Sequence, residues 1–172
     1  MLQWIGAVFV LTSSTAIGRL LAVRVKEQEL WLCDIRSSMY LLLGELEYHQ
    51  MPLPEALFCA GSRQGGRLRC FYEKVSCELE RKEGERFREI WRKYATECLV
   101  NAPVGKMQKE EFIAVGTYLT EADQKVRNNA IEFYLTCLEK EIAVLRKNEK
   151  EKTHLFQTMG ILVGLFLLIL VM

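Results

Sequence analysis

The sequence predicts an all-α protein: a cytoplasmic six-helix bundle between an N-terminal and a C-terminal transmembrane helix. Three observations carry this. The first eighteen and last eighteen residues hold no charge, whereas all 23 basic and 22 acidic side chains lie between Arg19 and His154. Within that charged middle, apolar residues recur three and four apart, the period of a helix with one buried face. Glu, Lys, Arg, Leu and Ala favour helix, only three prolines interrupt them, and no alternating apolar run of useful length suggests a strand.

The two ends come first. Leu155–Met172, LFQTMGILVGLFLLILVM, makes a helix about 27 Å long, close to the ~30 Å hydrocarbon core of a bilayer. Met1–Gly18 is equally free of charge, and a first span over residues 1–23 is expected if Arg19 snorkels to the interface. Trp4 would then sit at the opposite headgroup level. A cleavable signal peptide, cut near the Ser-Thr-Ala stretch at Ser14, is the competing reading; it would want basic residues before its apolar core, whereas Arg19, Arg24 and Lys26 come after it. With Arg146, Lys147, Lys150 and Lys152 before the second span, basic residues flank only the inner sides. The positive-inside rule therefore puts residues 24–154 in the cytoplasm, anchored to the cell membrane, with both termini on the far side. Gly160-x-x-x-Gly164 and Ser14-x-x-x-Gly18 would let each span approach another helix closely, either its mate or a partner subunit.

The domain between the spans reads as six helices in order. The first continues from the membrane to about Gln50, burying Leu32, Ile35, Met39, Leu42, Leu43 and Leu46. Met51-Pro-Leu-Pro54 breaks it, since a residue before proline avoids the α region and a proline suits a new first turn. A short helix with Leu57 and Phe58 follows to near Gly61, then a loop over Ser62–Gly66. A third helix, about 68–81, carries Leu68, Phe71, Tyr72, Val75 and Leu79 on one face. Glu83-Gly84 interrupts, and a fourth, about 85–99, buries Phe87, Ile90, Trp91, Tyr94 and Cys98. After the turn at Asn101–Gly105 a fifth runs over about 109–119 with Phe112, Val115, Gly116 and Leu119. Thr120-x-x-Asp123 resembles a capping box. It opens a sixth helix with Val126, Ala130, Phe133, Cys137, Leu138, Ile142 and Leu145, which has no breaker before Gly160. Phe71, Tyr72, Phe87, Trp91, Tyr94, Phe112 and Phe133 are expected to fill the core.

No catalytic constellation is present: the sequence lacks GxxxxGK[ST], HExxH, GxSxG and GxGxxG. His49 stands near Glu47 without a nucleophile or an orienting group. No cofactor and no metal is expected, because no pair of Glu-x-x-His motifs lies on a core face. A net charge of +1 gives no broad field for nucleic acid. The six cysteines form no CxxC pair and read as small buried thiols in a reducing compartment. Arg86, Arg88, Arg92 and Lys93, interleaved with Glu80, Glu83, Glu85 and Glu89, form either a solvated face or a possible partner surface.

The motif Pro52-Leu-Pro-Glu-Ala-Leu57 resembles the helix start in the cytoplasmic domain of type II secretion F platform proteins. The Met1-Leu-x-Trp-Ile-Gly-Ala7 start, the Gly116-x-x-Leu119-x-x-x-Asp123 element and the Gly-rich last span extend the likeness over nearly the full length. Together these resemble the stage III sporulation protein AB family. Two positions depart from its pattern: Gln50 stands where a glycine is expected before the prolines, and Arg127 stands near an expected glutamine. The resemblance implies a non-enzymatic membrane platform subunit of the secretion-like channel complex between mother cell and forespore in endospore formers. Its partners would be the membrane, other proteins of the same operon, the cognate secretion-type ATPase (stage III sporulation protein AA), and further copies of itself. A generic secretion or pilus platform subunit and a membrane-tethered helical enzyme are the alternatives. Platform proteins of the generic kind usually carry two copies of the domain, and this chain carries one.

Overall fold

The computed structural model describes the backbone of residues 2–81 and 86–171 and the side chains of residues 23–81 and 86–148. Among them every regular element is helical. The order is α1 (Leu2–Glu47), α2 (Leu53–Gln64), α3 (Arg69–Arg81), α4 (Phe87–Leu99), α5 (Lys106–Tyr118) and α6 (Gln124–Val171), with a short 3₁₀ turn, Gly66–Leu68, before α3. Each helix packs on the next, and α6 returns to lie along α1, closing the bundle. Glu83-Gly84, expected to separate α3 from α4, lies outside the described residues. So do the side chains of Ser14, Gly18, Gly160 and Gly164. Among the described residues no helix is long and apolar enough to cross a membrane.

The α1 stripe is buried as its spacing predicts, from Leu32 to Leu46. The break after it has two causes. Pro52 caps α2 with Pro54 in its first turn, and Gln50 adopts φ +48°, a left-handed conformation that an L side chain enters at a cost of roughly 1 kcal/mol. That is the position at which the resemblance expects glycine. Ala56 and Leu57 go fully into the core, and Ser76 Oγ donates to the Pro54 carbonyl at 2.8 Å, fastening α3 to the start of α2.

Several expectations change. Phe58 is exposed, and Ala56, Leu57, Ala60 and Gly61 form the buried face of α2 instead. Gly61 does not end that helix. A Cβ there would stand 2.7 Å from Tyr72 Cβ, so it is a close-approach glycine, and the helix ends at Gly65, φ +62°. α5 begins three residues earlier than expected, at Lys106. Thr120 takes no part in a capping box; its hydroxyl donates to the Thr117 carbonyl at 2.8 Å. Asp123 is itself the cap, its Oδ1 accepting from the amides of Lys125 at 2.8 Å and Val126 at 3.4 Å. On α6 the core face is Ile131, Tyr134, Leu135, Leu138 and Ile142, while Val126 and Phe133 are exposed.

The core centres on Trp91, which is fully buried. Phe71 meets its ring edge-on at 4.9 Å, and Phe112 and Phe87 lie at 5.4 and 5.7 Å. Its Nε1 donates to the Phe112 carbonyl at 3.1 Å. Deeper in, Tyr72 donates to Ser38 Oγ at 3.0 Å, and Ser38 donates to the Ile35 carbonyl at 2.8 Å, so a buried hydroxyl pair is satisfied internally. Tyr94, expected inside, is half-buried.

Gly116 lets α5 lie against the indole: a Cβ there would stand 2.4 Å from Trp91 Cδ1 and 2.6 Å from Cγ. Gly116→Ala is therefore expected to destabilise the domain by about 1–3 kcal/mol through overpacking. Gly44→Ala, with nothing within 4 Å of its added methyl, is expected to stabilise by about 0.5–1 kcal/mol through helix propensity. Urea unfolding followed by circular dichroism compares the two.

Candidate interaction surfaces

Two surfaces stand out: the polar seam of α1 with α6, and the basic outer face of α4.

The seam is antiparallel. Arg146 Nε on α6 donates to Glu29 Oε1 on α1 at 2.6 Å, and its Nη2 reaches Cys33 Sγ at 3.6 Å. One turn and more away, Tyr40 donates to Glu139 Oε1 at 3.2 Å, with Arg36 Nη1 at 3.9 Å from the same oxygen. As residue numbers fall on α1 they rise on α6. Residues 23–29 and 146–148 therefore share one end of the bundle, next to the two uncharged segments in the chain. Glu29 is mostly buried while Arg146 is half-exposed, so Arg146 both neutralises a poorly hydrated carboxylate and keeps water contact. The hydrogen bond to Glu29 holds the Arg146 guanidinium above its usual pKa. Partial desolvation, then Glu139, raises the Tyr40 hydroxyl.

The far end of α1 is tied to α2. Glu45 is buried beneath the exposed Arg63, which pairs with its Oε1. His49 Nδ1 lies 3.2 Å from Oε2, so the carboxylate this histidine stands against is that of Glu45, not Glu47. Across the bundle Asp34 faces Arg67 at 4.0 Å. Burial raises the Asp34 carboxyl more than Arg67 lowers it. Arg67 also covers the Trp31 ring at 5.5 Å. On the α5–α6 side, burial and then Glu141 raise Glu111.

Arg86, Arg88, Arg92 and Lys93 are all exposed. Arg86 supplies the cap position of α4 without a side-chain cap bond, and Lys93 Nζ rests 5.0 Å above the Tyr94 ring. Lys74 on α3 lies 5.8 Å from the same ring and pairs with Glu97 at 2.7 Å. The face is thus a mostly basic strip with the exposed Glu89 among its cations, edged by an aromatic and anchored to α3. The fold-motif residues take a different role. Ala56, Leu57, Gly116 and Leu119 are in the core, whereas Pro52 and Glu55 are exposed at the start of α2.

No group of His, Cys, Asp and Glu among the described residues could hold a metal ion. The six cysteines are free thiols. The seam pairings were not readable in the sequence, because ion pairs about a hundred residues apart leave no local pattern.

The sequence matches the family described as Stage III sporulation protein AB over residues 3–172. No curated protein matches it. A solved structure described as stage III sporulation protein AB is similar in fold, with a TM-score of 0.66 and 18% sequence identity, over 73% of this chain and 98% of that one.

Burial, then the neighbouring Cys70 and Glu97, pushes the Cys98 thiol up to about 11. The thiolate is the reactive form, so a raised pKa lowers its fraction at every pH below that value. In the folded protein at about pH 8, iodoacetamide is expected to modify the exposed Cys70 and Cys77 and to spare Cys98, which should react only as the pH nears 11. Peptide mapping by mass spectrometry reads the order.

Proposed function

The chain belongs to the stage III sporulation protein AB family, and from that membership we propose that it is a non-enzymatic platform held at the membrane by its two apolar ends. Membership carries a role in sporulation. The observation that supports the finer reading is the pairing of α1 with α6. These are unbroken helices, Leu2–Glu47 and Gln124–Val171, and they run antiparallel through the bundle. Both uncharged segments of the sequence therefore continue from the same end of the domain. A bundle joined at one end to two apolar rods can sit on one bilayer surface without crossing it.

The rest of the reading follows from what each part offers. The bundle faces the cytoplasm of the mother cell and works by contact within the secretion-like channel complex. Its cationic α4 face, Arg86, Arg88, Arg92 and Lys93, suits an acidic surface on a cytoplasmic partner. The partner proposed is the cognate secretion-type ATPase, stage III sporulation protein AA. Exposed arginines suit such a contact because their planar forks pair carboxylates at two points. Other proteins of the same operon would meet the platform beside the membrane.

Carbonate washing of native membranes tests the anchoring: the chain is expected to stay in the pellet, and its release would overturn the reading. Reversing the four charges (Arg86→Glu, Arg88→Glu, Arg92→Glu and Lys93→Glu) is expected to weaken ATPase binding at least tenfold, with helix content unchanged. Undiminished binding by the folded variant would remove α4 as the docking face.

A further inference from the structure

α6 carries two apolar faces, and the bundle uses one. The second lies outward: Val126 is 52% exposed, Phe133 72% and Val144 57%, with Ala130 and Cys137 half-buried between them. Their spacing is 4, 3, 4 and then 7 residues. It becomes 4, 3, 4, 3, 4 once Lys140 is counted, which is the alternating interval of a coiled-coil seam. The stripe spans about 27 Å of helix. Along one flank lie Asn129, Thr136 and Ala143, all exposed and uncharged.

We propose that this stripe is where a second copy of the chain docks, its α6 lying parallel and in register with the first. The orientation rests on the membrane anchoring proposed above. Two copies held in one bilayer by the same apolar end present α6 with the same polarity, so each residue faces its own counterpart. Phe133 meets Phe133, and Cys137 comes to the two-fold axis. Lys140 is the one charge in the seam. In a parallel pair it lies beside Glu141 of the second copy, a half-buried carboxylate at the edge of the stripe. A single lysine in such a seam costs stability and fixes register and strand number. The α1 and α5 contacts of α6 use its other faces, so the bundle keeps its own core when the copies join.

Oxidative cross-linking of the full-length chain in native membranes tests this. Copper–phenanthroline and oxygen take two electrons and two protons from a pair of thiols to make a disulfide. The expected product is a species twice the 19.9 kDa chain mass that Cys137→Ser abolishes. In the Cys137→Ser background, Phe133→Cys should restore it, and Glu132→Cys, exposed on another face, should not. Phe133→Glu is expected to cut the Cys137 cross-link at least fivefold in a chain that still folds, since the side chain lies outside the core. Absence of a Cys137-dependent dimer, equal cross-linking through position 132, or a Cys137 adduct to an unlike protein would each overturn the proposal. Carbonate washing of the same membranes reads the anchoring separately. A chain kept in the pellet without the dimer sinks the seam alone, and a released chain sinks the anchoring and the parallel pairing with it.

Discussion

The contact on which the bundle depends is that of Gly116 with the Trp91 indole. Three helices meet there. α3 brings Phe71, α4 brings Trp91 and Phe87, and α5 brings Phe112 together with the glycine that lets its backbone come within reach of the ring. The indole N–H donates to the Phe112 carbonyl, a bond that lies inside the apolar cluster and so has no competing water. Burial of a side chain of this size contributes on the order of 3–5 kcal/mol by the measure of its truncation. That is a large share of the 5–15 kcal/mol by which domains are typically stable. The two helices that reach toward the chain ends, α1 and α6, are assembled around this centre.

Polar contacts do a different job. The buried groups of the core are few: Glu29, Ser38, Glu45 and Ser76. Each has at least one partner from another element or a nearby carbonyl, Glu45 through its Oε1 alone. Two of them, Glu29 and Glu45, sit toward opposite ends of the α1 stripe and tie it to α6 and α2. Apolar stripes alone would tolerate a shift of one helix along another by a turn. A carboxylate with one fixed guanidinium does not, since a shift would leave it buried and unpaired. The aromatic centre supplies cohesion, and the carboxylates set how far each helix slides.

Much of this was legible in the sequence, and the reasons it failed elsewhere are physical. The α1 stripe is strongly periodic on one face only, so its burial followed directly. The aromatic cluster of α3, α4 and α5 was likewise visible. The inward face of α6 is not fixed by its sequence, because the helix is apolar on two faces. Local spacing cannot say which of Val126–Phe133 and Ile131–Leu138 turns inward; that choice is made by where α1 and α5 lie. In the sequence Gly61 reads as a stop because glycine ends helices more often than it pads them, and the nearness of Tyr72 that makes it a spacer is a tertiary fact. Gln50 shows the converse. The departure from glycine was plain in the sequence, but only the φ of +48° explains why glycine is expected there. The α1–α6 ion pairs left no trace at all, since neither partner is unusual in its own helix.

The closure of α6 on α1 also bears on how the chain acquires its shape. Glu29 and Arg146 are 117 residues apart, so the ring cannot shut until the chain as far as Arg146 has left the ribosome. Contacts of such long range are made late and slow the final step of folding. Until then the apolar flank of α1 waits without its cover, a species open to capture by chaperones or to aggregation. Synthesis that delivered the first apolar segment to a bilayer early would hold one end of the nascent chain in place and shorten the search that the last helix must complete.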